Sequence, residues 1–163
     1  MKEETKKMLW PLWIIAGALP GVVIWLFLIK IGIAGEFAGI LVGLGAIMLY
    51  RWSGAELKNG RMIAGTAILV VIALVVNHLG YSMDIYNSFA ENWYGAAGEE
   101  FTFWDSIKTV YEYFLVKNVE GMRSFYIEAG IQGTLCTLLF WIALFIYYKK
   151  YDEIENEEKT GKK

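Results

Sequence analysis

The sequence predicts an all-α integral membrane protein: a bundle of four transmembrane helices with both termini in the cytoplasm and an amphipathic helix on the outer surface between the third and fourth spans. Three observations lead to this prediction. Four long apolar stretches make up about half of the chain, 56% of its 163 residues are hydrophobic, and lysine and arginine are shared unevenly among the loops. About 20 apolar residues in a helix cross a hydrocarbon core of about 30 Å. We therefore expect a single transmembrane domain over residues 1–150.

The apolar stretches give the predicted spans, which cover residues 9–29, 33–50, 62–79 and 125–148. A cleaved signal peptide is the alternative for the first stretch. Its leader mixes acids with lysines and its apolar run is longer than a typical signal-peptide core, so we interpret it as a retained span. Pro20 predicts a kink near the middle of this span, which is either a hinge or a static bend.

The loops indicate the orientation, because lysine and arginine near span ends are retained on the cytoplasmic side. Eleven basic residues fall in the two termini and the loop after the second span, against four in the other two loops. Both termini are therefore predicted to be cytoplasmic, in a bacterial cell membrane. The final stretch, 151–163, mixes acids and lysines with few apolar residues, and this composition predicts a disordered cytoplasmic tail.

The long outer segment contains one predicted amphipathic helix, at about residues 103–116. Thr102 and Asp105 have the spacing of a capping box, which places the helix start at about Phe103. Such a helix either lies flat on the outer membrane surface or covers the mouth of the bundle as a lid. Its apolar face is predicted to contain Phe101, Trp104, Ile107, Tyr111, Phe114 and Leu115.

Aromatic side chains cluster at the predicted span ends, as in the interfacial belts of membrane proteins. Trp10 and Tyr50 belong to the cytoplasmic group, and Trp25 and Tyr126 to the outer group. We interpret all of them as interfacial anchors.

Small residues recur at four-residue spacing in three spans, which is the pattern of close helix packing in lipid. A connection of only three residues between the first two spans predicts a tight antiparallel hairpin. The alternative use of such a glycine face is contact with another copy or the lining of a pore. The predicted packing positions are Gly17, Gly21, Gly35, Gly39, Gly43, Gly130 and Gly133.

Ionisable side chains inside spans are costly and are therefore functional candidates. Glu36, His78 and Glu128 share one depth near the outer end of three different spans, with Asn77 and Gln132 beside them. Paired carboxylates near a histidine could hold a proton or a cation in an outward-facing vestibule. The alternative is that each side chain simply reaches water or headgroups.

Other chemistry is poorly supported by the sequence. A single histidine does not provide the ligand set of a metalloprotease, and no Gly-x-Ser-x-Gly elbow or phosphate-binding loop occurs. Cys136 is the only cysteine, so an intramolecular disulfide is excluded. A net charge of −2 gives no indication of a nucleic-acid partner. We expect no cofactor and no bound metal.

The sequence therefore favours a non-catalytic membrane component with a structural, regulatory or partner-binding role. Its expected partners are the lipid bilayer and either a second copy of the chain or another membrane protein. The alternative is a small oligomeric channel or transporter that uses the outward-facing vestibule.

Overall fold

The computed structural model describes residues 3–31, 35–93, 101–118 and 121–159. Every regular element in these ranges is helical, and they contain no strand. A 3₁₀ turn, Gly35–Ala38, precedes the third helix, and a π-helical segment, Val110–Val116, follows the fifth. The six helices are α1 (Glu3–Met8), α2 (Trp10–Lys30), α3 (Gly39–Trp52), α4 (Asn59–Trp93), α5 (Phe103–Thr109) and α6 (Met122–Lys159).

Three helices are long and apolar enough to cross a membrane: α2, the first 30 residues of α4, and α6 from Tyr126 onward. α3 is also apolar but has only 14 residues. With rises of about 1.5 Å per α-helical residue and about 2.0 Å per 3₁₀ residue, α3 and the preceding turn together reach about 29 Å. The predicted second span therefore corresponds to two elements rather than one regular helix.

The four long elements form a closed ring in which α2 contacts α3 and α4, and α6 also contacts α3 and α4. The α2–α3 hairpin is the most extensive of these contacts. It depends on glycine, because a Cβ added at Gly17 would overlap the carbonyl of Gly45, and one at Gly21 would overlap the backbone at Val42. α2 continues without a break through Pro20, and the Pro20 side chain is exposed on the outside of the bundle.

α3 approaches α6 equally closely. A Cβ at Gly39 would lie 2.6 Å from the carbonyl oxygen of Gly133, and one at Gly43 would overlap the carbonyl of Thr137. The Thr137 hydroxyl donates to the Gly133 carbonyl at 2.9 Å, so its polar group is satisfied within its own helix. Backbone contact of this kind supplies attraction where no hydrophobic driving force acts between helices in lipid.

Aromatic residues fill the centre of the ring. The ring of Tyr50 lies 5.8 Å from that of Trp141 and 5.8 Å from that of Phe145, and all three side chains are fully buried. Trp25 is also buried, with its indole against Gly133. The interpretation of Tyr50 and Trp25 as interfacial anchors is therefore wrong, because both rings are buried within the bundle and Gly133 leaves the space that the Trp25 indole occupies.

Two helices extend beyond their predicted spans. α4 continues 14 residues past the predicted end at 79, and α6 continues to Lys159. The prediction of a disordered tail is thus wrong for residues 151–159; residues 160–163 lie outside the described ranges. Arg51 binds Asp152 at 2.6 Å, and Lys149 and Glu153 approach to 3.9 Å one turn apart on α6, so oppositely charged side chains support this last part of the helix.

The basic segments that were assigned to one side of the membrane meet at one end of the bundle. Arg51 at the end of α3 reaches α6, and Lys149 on α6 donates to Asn59 at the start of α4 over 2.9 Å. Lys7 from α1 lies beside Gly54. The N-terminal segment, the loop after α3 and the C-terminal end of α6 therefore share this end.

At the other end, α5 and the π segment pack on α4 and α6. The predicted capping box is present: the Thr102 hydroxyl accepts from the Asp105 amide at 3.3 Å, and the Asp105 carboxylate accepts from the Thr102 amide at 2.9 Å. α5 begins at Phe103 as the box predicts.

Two members of the predicted apolar face, Trp104 and Tyr111, are 71% and 60% exposed. The fully buried residues of this segment are Ser106 and Val110. Together with the buried Ser82 of α4, these small side chains permit a closer approach of the segment to the bundle than a tryptophan would. The apolar face stays a prediction, because its expected contact is with the membrane surface.

Candidate functional site

The end of the bundle at which α5 packs, predicted from the sequence to be the outer end, contains a polar cluster formed by Asn77, His78 and Tyr126, which we call the outer cluster. The Nδ1 atom of His78 lies 3.0 Å from the Tyr126 hydroxyl, and the two rings meet edge to face. The Asn77 amide donates to the backbone carbonyl of Tyr126 at 3.4 Å. This carbonyl belongs to the first turns of α6, so α4 and α6 are joined by side-chain hydrogen bonds at this level.

The segment from α5 through the π helix covers the outer cluster. Phe114 packs against Tyr126 and Tyr81, with ring centroids 6.1 and 5.8 Å apart. The His78 ring also faces the backbone carbonyl of Ile107, and the Ser82 hydroxyl donates to the His78 carbonyl at 2.8 Å. The histidine is half-buried under this cover.

The remaining described members of the predicted vestibule lie elsewhere. Glu128 and Gln132 are exposed, and the Gln132 amide donates to the Glu128 carboxylate at 3.3 Å. We call them the α6 polar pair. A step of two residues turns an α-helix by about 200°, so Glu128 points away from the side on which Tyr126 meets His78.

Glu36 lies in the 3₁₀ turn, but its side chain is outside the described part of the structure. The structure therefore brings Asn77 and His78 to Tyr126, and it does not bring Glu128 or Gln132 to them. The three-helix vestibule is not assembled among the described side chains. Helical depth was predicted from the sequence, whereas the rotation of α6 about its axis was not.

A shallow apolar groove of about 320 Å³ runs along the outside of the bundle between α4 and α6. Asn77 lies at its floor, where an added Cβ at Gly130 would come within 3.2 Å of the Asn77 amide nitrogen. Asn77 is only 3% exposed, so the groove presents almost entirely hydrocarbon. Its lining residues are Val70, Leu74, Asn77, Tyr126, Ile127, Gly130, Ile131, Thr134 and Leu135.

Among the predicted packing glycines, Gly17, Gly21, Gly39, Gly43, Gly130 and Gly133 all lie against another helix, and Gly35 begins the 3₁₀ turn. Three further glycines in such contacts were not predicted. A Cβ at Gly45 would overlap the Gly17 carbonyl, one at Gly65 the Trp141 ring, and one at Gly80 the Ile29 side chain. Gly45 lies two residues after Gly43, outside the four-residue repeat, which is why that spacing rule misses it.

In the segment 101–118, two groups have shifted pKa values. The Thr102 hydroxyl and backbone amide bind the Asp105 carboxylate and hold its pKa below the ordinary value. The Glu112 carboxylate, 2.6 Å from the Lys117 ammonium, raises the pKa of that lysine. Both interactions are solvent-exposed and join residues within this segment.

The described residues contain no group of three side chains that could hold a metal ion. The imidazole and phenol of the outer cluster can share one proton between Nδ1 and the hydroxyl, and the carboxylate and amide of the α6 polar pair can each accept further hydrogen bonds. The arrangement therefore offers polar contacts at two separate places on α6, one inside the bundle and one outside.

Comparisons with protein-family models, curated proteins and solved structures give no match for this chain.

Proposed function

We propose that the chain is a non-catalytic, four-span protein of the cell membrane that acts by binding another protein through the outward face of α6. Its termini are placed in the cytoplasm. The gathering of Arg51, Asn59 and Lys149 at one end of the bundle supports this orientation, because the basic segments then lie on the same side.

The α6 polar pair is the observation that carries this proposal. Glu128 and Gln132 are exposed on a face whose other members, Ile131, Leu135 and Leu139, are apolar and 54–63% exposed. An ionisable side chain in a membrane helix almost always faces protein or water, because an unpaired charge in hydrocarbon is costly. A protein bound over this face removes the polar pair from lipid.

The packed interior supports the same proposal. Trp25, Tyr50, Trp141 and Phe145 are buried in the centre of the ring, so large side chains occupy the axis that a path through one copy would follow. We therefore assign the function to the lateral surface of the bundle and not to a path through it.

Photo-crosslinking in the native host tests this proposal. A photoreactive amino acid at Leu135 is expected to give a covalent adduct with a protein, whereas the same amino acid at Val23, 65% exposed on α2, is expected to give none. Adducts at neither position, or equally at both, would contradict a binding face on α6.

A second candidate function is an outward-facing site for a proton or a cation in an oligomeric channel or transporter. It is supported by the 3.0 Å contact between His78 and Tyr126 near the outer end. The test is proton and cation flux into liposomes that contain the purified protein, with His78→Gln alongside. Flux that this variant loses supports transport through the outer cluster; no flux over a range of cations and pH gradients contradicts it.

A further inference from the structure

The exposed face of α6 has the spacing of a coiled-coil seam. Glu128, Gln132, Leu135 and Leu139 follow one another at intervals of four, three and four residues, and Ile146 lies seven residues after Leu139. All five are exposed in the single chain, whereas Ile142, at the seam position between Leu139 and Ile146, packs against the core. Helices that present a 3.5-residue repeat pack side by side in the left-handed crossing that is common in membrane bundles. We call this set the α6 seam.

The inward face of the same helix has a different repeat. Gly133, Thr137, Trp141 and Phe145 are spaced by four residues and are covered by α2, α3 and α4. The two sets lie on opposite sides of the helix, so packing of the inward face within the described part of the bundle leaves the α6 seam open.

The polar end of the seam indicates what covers it. Gln132 lies six residues beyond Tyr126, which is about 9 Å further along the helix toward the centre of the bundle. Its amide has two N–H donors and one acceptor, and one contact to Glu128 uses only part of this capacity. Lipid chains offer neither donors nor acceptors at this depth, so a lipid leaves the amide unsatisfied.

A second copy of the chain supplies the missing groups. Two copies inserted in the same orientation place identical residues at identical depths, and a two-fold axis along the seam brings Gln132 opposite the same residue of the other copy. An amide is both donor and acceptor, so two such side chains are complementary to each other. A polar residue at one seam position also fixes the register of paired helices.

We propose that the chain forms a parallel two-fold homodimer through the α6 seam, with the Gln132 amides hydrogen-bonded across the axis. This inference rests on the proposed function, since it names the protein that binds the outward face of α6. It places Leu135 and Leu139 in the centre of the interface and Glu128 at the end of the interface nearest the start of α6.

Disulfide trapping of purified protein in lipid vesicles tests the dimer in the absence of any other protein. All variants carry Cys136→Ala, which removes the only native cysteine. On oxidation, Leu135→Cys and Leu139→Cys are expected to form covalent dimers, because paired seam positions bring the Cα atoms within the 4.4–6.8 Å that a disulfide spans. Val23→Cys on α2 is the matched control and is expected to stay monomeric.

The Gln132→Leu variant tests the amide contact. In a protein that also carries Leu135→Cys, we measure the protein-to-lipid ratio at which half of the chains are trapped as dimers. Gln132→Leu is expected to raise this ratio about 3- to 30-fold, which corresponds to the loss of one interhelical side-chain hydrogen bond in a membrane. Val23→Leu is expected to shift it by less than about twofold, as an exposed substitution outside the seam. An unchanged ratio in Gln132→Leu would overturn the proposed role of the amide.

Equal trapping at Leu135, Leu139 and Val23 would show random collision and overturn the dimer, and so would no trapping at any of them. Either result, combined with a cellular photo-adduct at Leu135 that has the mass of a different protein, would retain the proposed partner-binding function while rejecting the second copy as the partner. No adduct and no trapping would reject both.

Discussion

The inward and outward faces of α6 belong to one helix but satisfy their side chains in different ways. On the inward face, Thr137 bonds to its own helix and Trp141 fills the space above Gly65, so polar groups and volume are both accounted for within the chain. On the outward face, Glu128 and Gln132 have each other and an open surface. Packing within the described chain therefore accounts for the inward face of α6 and leaves its outward face open, which is the face that the proposed dimer would cover.

The largest expected effect is the removal of the central aromatic ring. Trp141→Ala should lower the free energy of unfolding by about 3–5 kcal/mol, because it leaves a cavity between Tyr50, Phe145 and Gly65. Leu139→Ala, two residues away on the outward face, should cost much less in the monomer. Unfolding titrations in detergent compare the two variants, and similar losses would break the distinction between the faces.

The next effect comes from close backbone contact. Gly43→Ala places a Cβ against the Thr137 carbonyl and should destabilise the protein by about 1–3 kcal/mol through overpacking. Gly60→Ala is the control, since nothing lies within 4 Å of its added Cβ. There the gain in helix propensity should raise stability by about 0.5–1 kcal/mol. Thermal unfolding of the two variants should therefore shift in opposite directions, and a shift in the same direction would contradict the packing argument.

A smaller difference in stability is expected between substitutions of Asn77, which is buried between α4 and α6, and of Gln132, which is exposed on α6. Asn77→Leu removes a buried amide bound to the Tyr126 carbonyl and should cost about 1 kcal/mol in stability. Gln132→Leu removes an exposed amide and should change the unfolding of the monomer by less than about 0.5 kcal/mol. Unfolding at protein-to-lipid ratios too low for dimers checks both. A large loss in Gln132→Leu would show that the amide serves the fold rather than association.

The smallest effect is the pH dependence of the outer segment. The folded-state pKa of Asp105 is lowered by its hydrogen bonds to Thr102, so the capping box contributes stability above the ordinary aspartate pKa of about 4. This contribution is lost as the pH falls through the lowered folded value. NMR shifts of the Thr102 and Asp105 amides should report loosening of α5 in acid, while the inward face of α6 is unaffected. Asp105→Asn should abolish this dependence; if it does not, another group titrates.

Much of the fold follows from local patterns in the sequence. Apolar runs longer than about 17 residues predict α2, most of α4 and most of α6, and the Thr102–Asp105 spacing predicts the first residue of α5. The split of the second span into a 3₁₀ turn and α3 was not predicted, because a hydropathy run does not distinguish helix types. At the helical end of α6, the pair Lys149–Glu153 lies one turn apart and is visible in the sequence, whereas Arg51–Asp152 joins residues far apart and is not. The prediction of a tail weighed the charged composition and not the four-residue spacing of these charges.

For the candidate site, the sequence indicates how far along each helix the residues lie but not to which side their side chains point. Counting residues along each span correctly gives Asn77, His78 and Glu128 similar heights, since the rise per residue is fixed. Whether a side chain points inward depends on which face of its helix the neighbours cover. The Gly133 and Thr137 contacts with α3 set that rotation for α6, and they turn Glu128 outward.

Local composition and fixed helix geometry were enough to predict a helical chain, long apolar helices and the grouping of the basic segments, although four spans were predicted and three helices are long and apolar enough to cross a membrane. Which aromatic rings are core, which glycines carry contacts and which polar groups meet became known from the tertiary structure alone. Those outcomes depend on helix rotation and on pairing between distant segments, and side-chain packing across the bundle sets both.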